Sequence, residues 1–211
     1  MKLSNAIGAL LYIHPFNLLV MPPKIVIYQL KVTIRDIRPP IWRRIQVESS
    51  TNLSKLHLII QAAMGWYNCH LHSFSIDGVE YGDPEHSYGL ELRDENKAKL
   101  GSLIKQEKAK FFYTYDFGDS WEHSILVEKI LPKETKISYP TCIKAKRACP
   151  PEDCGGAWGY MEFLEAIQNP NHPERENFLE WLEEDFDSEF CDLKEINQRL
   201  SEFETLAQHW F

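Results

Sequence analysis

Three histidines stand where polar and apolar residues alternate. His70 and His72 are two apart, and His123 has Asp116, Asp119 and Glu122 around it. Imidazoles at i and i+2 of an extended segment point the same way. Neutral imidazoles in that arrangement suit a metal ion, and the nearby carboxylates could complete its ligand set. As plain core or rim residues, the same histidines would bond their ring nitrogens to a carboxylate or a backbone carbonyl. An H-x-H pair alone does not decide between these readings. Cys142, Cys149 and Cys154 form a second group, separated by six and four residues. Only the second gap has structural-zinc spacing, and a fourth ligand would have to come from a histidine. Thiols packed inside a loop are the simpler reading. Zinc is the cofactor these donors could hold, drawn from His70, His72, His123, Cys142, Cys149 and Cys154.

Residues 149–160, Cys-Pro-Pro-Glu-Asp-Cys-Gly-Gly-Ala-Trp-Gly-Tyr, look built to hold one backbone shape. Glycines ahead of a helix can offer N–H groups to an anion. Here no Gly-Lys-Ser/Thr follows, and Glu152 and Asp153 would repel phosphate. A tight loop in which Asp153 accepts backbone donors fits better. The candidate pocket therefore gathers His70, His72, Asp116, Asp119, His123, Glu152 and Asp153. Nucleophilic catalysis has little support: there is no G-x-S-x-G, and Ser120 and His123 would face opposite sides of a strand. His57 reads as a flank of an apolar helical stripe. Trp42, Arg43 and Arg44 could grip an acidic partner, or pair with the acidic end of the chain.

The elements that must carry these residues follow from periodicity. Residues 25–36 and 41–48 alternate as strands about a Pro39-Pro40 turn, which makes them an antiparallel pair. Residues 53–64 switch to helical spacing, with Thr51 or Asn52 as cap and Gly65 as stop. Residues 70–77 return to strand, and Asp77-Gly78 signals a hairpin. Residues 83–108 show no clear period. Residues 109–117 and 121–127 form a hairpin about Gly118-Asp119-Ser120. Three helices follow, starting near Gly159, Pro173 and Asp192, and the last presents Leu193, Ile196, Leu200 and Phe203. The expected fold is α+β: a mainly antiparallel sheet with helices packed on it and a helical C-terminal third.

Of 211 residues, 44% are hydrophobic and 26% charged, as in a globular domain. Net charge is −8 but unevenly spread: residues 1–150 carry 20 Lys/Arg against 15 Asp/Glu, and residues 151–211 carry 3 against 16. That balance disfavours general DNA binding, which needs net positive patches. Five cysteines with no regular framework point to a reducing cytoplasm. Residues 1–23 lack the marks of a cleavable signal and of a membrane span, and read as an N-terminal extension or an early-assigned start. The expected division is an extension at 1–23, an α+β domain at 24–190 and an acidic helix at 191–211.

Four segments together resemble the plasmid pRiA-type open-reading-frame-three-like proteins. They are Pro39-Pro40-Ile41-Trp42-Arg43-Arg44; Leu56-His57 through Gly65-Trp66 to His70-Leu71-His72-Ser73-Phe74; Tyr115-Asp116-Phe117-Gly118-Asp119-Ser120-Trp121-Glu122-His123; and Ala148 to Gly156 with Gly159-Tyr160. The similarity spans about residues 25–185. It implies an α+β fold and says little of activity, because that family is largely uncharacterised. Some members carry an insertion-element passenger label of resolvase type. Serine recombination needs an activated Ser amid arginines and a basic DNA-binding segment, which the acidic last third does not supply. The expected function is a cytoplasmic binding or adaptor domain for a protein or peptide partner, with no membrane, linked to plasmids or mobile elements. The alternatives are a metal-dependent hydrolytic enzyme using the histidines with Asp116 or Asp119, and a nucleic-acid-associated protein.

Overall fold

The computed structural model describes residues 25–87, 89, 91–182 and 186–206; the extension expected at 1–23 lies outside them. Alternation of Tyr28, Leu30, Val32 and Ile34 with Gln29, Lys31 and Thr33 gives strand β1 (Val26–Ile34), paired antiparallel with β2 (Trp42–Glu48). Helix α1 (Leu53–Met64) starts where the Asn52 side chain accepts the Lys55 N–H at 2.9 Å. It stops at Gly65, whose φ of 99° only glycine adopts without strain. Strands β3 (His72–Ile76) and β4 (Val79–Gly82) flank the Asp77-Gly78 turn, in which both residues have positive φ.

The stretch without a clear period, 83–108, holds a 3₁₀ turn at Pro84–His86, the short strand β5 (Arg93–Asp94) and a one-turn helix α2 (Leu100–Leu103). Strands β6 (Lys110–Tyr115) and β7 (Trp121–Pro132) form the expected antiparallel hairpin. A further strand, β8 (Thr141–Lys146), went unseen in the sequence; it lies on the far edge beside β2. Helices α3 (Gly156–Gln168), α4 (Arg175–Trp181) and α5 (Leu193–Leu206) follow among the described residues.

The eight strands make one sheet in the order β5-β4-β3-β6-β7-β1-β2-β8, antiparallel except for β4 with β5. The fold is thus α+β, as its sequence indicates. One face is continuous and buried. In register across it lie Phe74, Tyr113 and His123, then Val32 beside Ile125, then Ile45 beside Leu30. Helix α1 covers this face and α5 packs on α1 and β8. Ile196, Leu200 and Phe203 of α5 are buried, each worth about 1.5–3 kcal/mol on the area scale. Leu193, expected on the same stripe, is 38% exposed because it lies at the first position of the helix, beyond the covering surface. Helix α3 begins three residues earlier than the sequence pattern indicates. Gly156 has φ +68°, and a Cβ there would come within 2.2 Å of the Asp119 carbonyl oxygen. The loop is therefore pressed directly on the β6–β7 turn.

Candidate functional site

At the β3 end of the buried face a cavity of about 760 Å³ opens among the N-terminal part of α1, residues 68–72, the 83–95 segment and the start of the β6–β7 turn. His57 projects into its wall from the buried side of α1. Its ring stacks on His72 with centroids 3.4 Å apart and planes 1° from parallel. Both His57 nitrogens are engaged: Nδ1 lies 2.7 Å from the Tyr113 hydroxyl and Nε2 lies 2.5 Å from Asn68 Oδ1.

The network fixes the protons. Gln61 Nε2 donates to the Tyr113 hydroxyl at 3.0 Å. That hydroxyl spends its own proton on His57 Nδ1, so His57 Nε2–H donates to Asn68. Gln61 Oε1 in turn accepts the Asn68 N–H at 3.1 Å. His57 is neutral, its basicity held well below the usual imidazole range by burial and then by the neighbouring His72. It is a committed wall residue and has no nitrogen left for a ligand.

His72 Nε2 lies 2.8 Å from Glu95 Oε2. Burial acts on both: it pushes Glu95 up to about 7 and His72 down to about 4. Neither group gains by carrying charge in the closed wall, so the contact is a hydrogen bond from a neutral imidazole N–H. Glu95 is held by backbone: its N–H donates to the Gly82 carbonyl, and its own carbonyl accepts the Leu53 N–H. Asp83 and His86, paired at 2.7 Å, stand on the outer side of the cavity. Among the described residues the lining carries three carboxylates, Asp83, Glu95 and Asp116, and no Lys or Arg.

The mouth is formed by His70, Asp116 and Asp153. His70 Nε2 is 3.1 Å from Asp153 Oδ1 and 3.7 Å from Asp116 Oδ2. Asp116 is buried and its Oδ1 caps the Gly118 N–H at 2.8 Å; Asp153 is exposed on the loop before α3. Glu152 beside it accepts from the Tyr115 hydroxyl and from the Tyr67 N–H, both at 2.9 Å. Asp119 Oδ2 accepts the Gly155 N–H at 3.0 Å, tying turn to loop.

Of the seven pocket residues expected from sequence, His70, His72 and Asp116 line the cavity, and Asp153 reaches its mouth through His70. Glu152 and Asp119 fasten the loop. His123 is not in the cavity. It shares the sheet face, but Tyr113 and Trp66 seal it at 0% exposure, and its Nδ1 donates to the Trp121 carbonyl at 2.8 Å. The ligand set expected from His70, His72, His123, Cys142, Cys149 and Cys154 does not assemble. Among the described residues the three-donor group is His70, Asp116 and Asp153. Cys142 is buried on the inner side of β8 with its Sγ near the Lys144 carbonyl, and burial raises the thiol pKa of Cys149 and lifts that of Cys154 to about 12, so these are packed thiols.

The partner-binding role expected of Trp42, Arg43 and Arg44 meets a different arrangement. Arg43 is 2% exposed and donates to the carbonyls of Ala63, Trp42 and Lys146. Arg44 forms a bidentate pair with Glu128 on β7, at 2.5 and 2.7 Å, so it is satisfied within the sheet and not by the acidic C-terminal third. The Trp42 ring carries both Lys31 and Arg44 against it, at 4.9 and 5.2 Å from its centroid. Sequence reasoning missed Glu95, Asn68, Gln61 and Tyr113 as site residues. Only Gln61 left a signal: with His57 it makes a polar i, i+4 pair on the buried side of α1.

A mainly antiparallel α+β sheet with a histidine-walled cavity at one end defines the class. The chain belongs to the plasmid pRiA4b ORF-3-like protein family, which matches residues 26–195. It is similar to the uncharacterized protein y4hQ of Sinorhizobium fredii, 39% identical over 186 residues that span 87% of this chain and 94% of that one. It is also similar to a crystal structure of a protein of unknown function from Methanosarcina mazei Go1. That match has a TM-score of 0.74 at 42% identity, over 82% of this chain and 97% of that chain.

Proposed function

We propose that this chain is a binding domain whose cavity receives a positively charged amine, free or carried by a basic peptide. The observation that carries this is the lining: Asp83, Glu95 and Asp116 with, among the described residues, no Lys or Arg, in a space of about 760 Å³ that suits a small organic ligand. The neutral His57–His72 stack gives such a ligand a flat polarizable wall without a competing charge. Phosphate-bearing partners meet Asp83, Asp116 and, above about pH 7, an ionised Glu95 there, which supports a peptide or amine over nucleic acid. Among the described residues no helix is long and apolar enough to cross a membrane. All five cysteines are free, in keeping with a reducing cytoplasm. The plasmid in the family's description supports a link to mobile elements.

Calorimetric titration with spermidine, and separately with a lysine-containing tripeptide, tests this and distinguishes the two sources of the amine. Binding at or below about 1 mM is expected for one of them. It should weaken at least tenfold in Glu95→Gln and strengthen as pH rises through 7, where Glu95 loses its proton. Failure of both amines, or binding of inorganic phosphate in their place, would defeat the reading.

A further inference from the structure

We infer that His70, Asp116 and Asp153 form a site for one first-row divalent cation, Mn²⁺ or Zn²⁺, at the mouth of the cavity. One ligand atom from each lies within 4.8 Å of the other two. Donors held about 2.0–2.2 Å from a common metal stand about 3–4 Å apart, depending on the angle between them. The distances of 3.1 and 3.7 Å from His70 Nε2 to the two carboxylates fall in that interval.

A second observation points the same way. The His70 side chain is 28% exposed, but its Nε2 is shut off from solvent and makes no hydrogen bond. Buried ring nitrogens are almost always partnered. A nitrogen 3.1 and 3.7 Å from two carboxylates, and hydrogen-bonded to neither, is placed for an ion among them. The donor set of one imidazole and two carboxylates suits Mn²⁺ and Zn²⁺ better than a thiolate-seeking ion. Asp116 is oriented by its bond to the Gly118 N–H, the supporting contact a ligand carboxylate ordinarily has. Asp153 sits on the loop before α3, so the ion would clip that loop to the β6 end. Three protein ligands leave coordination positions open, as in sites where a metal meets a bound molecule.

This inference shares the cavity with the amine reading but does not depend on it. The test therefore uses the metals alone. Full-length, tag-free protein stripped with EDTA is titrated with MnCl₂ and with ZnCl₂, reading stoichiometry by calorimetry and the melting temperature by scanning. One equivalent is expected to bind, with a raised melting temperature. His70→Ala and the surface variant Asp153→Asn should each weaken binding at least tenfold. Cys69→Ser, which removes the exposed thiol of the same cavity, should bind as the native chain does. Circular dichroism of each variant confirms that the fold is kept. No uptake of either ion would overturn the site. So would equal binding by Asp153→Asn, or loss of binding only in Cys69→Ser. Amine titration repeated in EDTA shows whether that reading stands by itself.

Discussion

Deleting one oxygen tests the wall of the site. In Tyr113→Phe the ring keeps its place, 4.8 Å from Phe74 and 5.2 Å from His123 between centroids. The hydroxyl it loses joins two fully enclosed groups: it donates to His57 Nδ1 and accepts from Gln61 Nε2. Tyr113 and Gln61 are 0% exposed and His57 3%, so neither group can turn to solvent. Gln61 cannot swing away cheaply, because its Oε1 holds the Asn68 N–H. Each stranded buried group costs about 1–3 kcal/mol. Some relaxation leaves a combined loss of about 2–4 kcal/mol. For a chain of this length that lowers the melting temperature on the order of 5–10 °C. Urea unfolding followed by circular dichroism should show a lower midpoint with an unchanged slope.

The variant also carries a sign that a mere packing defect lacks. The tyrosine proton on Nδ1 favours the neutral ring, so its removal should raise the His57 pKa from its depressed position. Proton NMR of the imidazole reads this directly. A loss below about 0.5 kcal/mol, or a His57 titration that does not move, would refute the proton assignment in the network.

Three further outcomes are expected. Burial depresses His72 and His123, each to about 4, so the folded protein resists protons that the unfolded chain accepts. Stability should then fall as pH drops from about 6.5 to about 4, by on the order of 3 kcal/mol for His123 alone, and the acid limb should flatten in His123→Leu. Gly156→Ala forces a side chain against the Asp119 carbonyl at positive φ, and should cost at least about 3 kcal/mol by chemical denaturation. Helix α5 is fastened to β8 by Asn197, which accepts from the Cys142 N–H at 2.8 Å and the Thr141 hydroxyl at 3.0 Å, and donates to the Cys142 carbonyl. Asn197→Ala should therefore destabilise by about 2–3 kcal/mol, whereas 1 M NaCl should change little, since Lys55–Glu204 and Arg199–Glu195 are exposed ion pairs.

The parts of this structure that repeat were legible in the sequence. Helix α1 announces itself by period, by Asn52 and by Gly65, and β1, β2, β6 and β7 by alternation. That alternation also places His72 with Phe74 on the covered face. It carries a further signal in β2, where Arg43 shares its parity with Ile41, Ile45 and Val47. A charged residue in the inward register is a structural group satisfied by carbonyls, and the arginine count alone hides this. Glu95 was illegible for a different reason. It arrives from a segment with no period, and its position depends on the parallel pairing of β5 with β4, a long-range contact that no local pattern encodes. His57 looked like the flank of an apolar stripe because its partners, Asn68 and Tyr113, lie 11 and 56 residues away.

What gathers the site is a set of joints in the backbone. Asn68, Asp116 and Asp153 have φ of 58°, 55° and 57°, each where the chain leaves a regular path. Asp and Asn tolerate this conformation better than other side chains with a Cβ, so the residue types that suit the bends are also those that bring carboxylates and amides to them. The two roles are separable. Asp153→Gly keeps the bend and removes the carboxylate, whereas Asp153→Ala removes the carboxylate and strains the bend. If the loop needs Asp153 only for its backbone shape, the glycine variant should bind metal and amine as the native chain does. If its carboxylate is a ligand, glycine and alanine should lose metal alike, while only alanine also lowers the melting temperature of the metal-free protein.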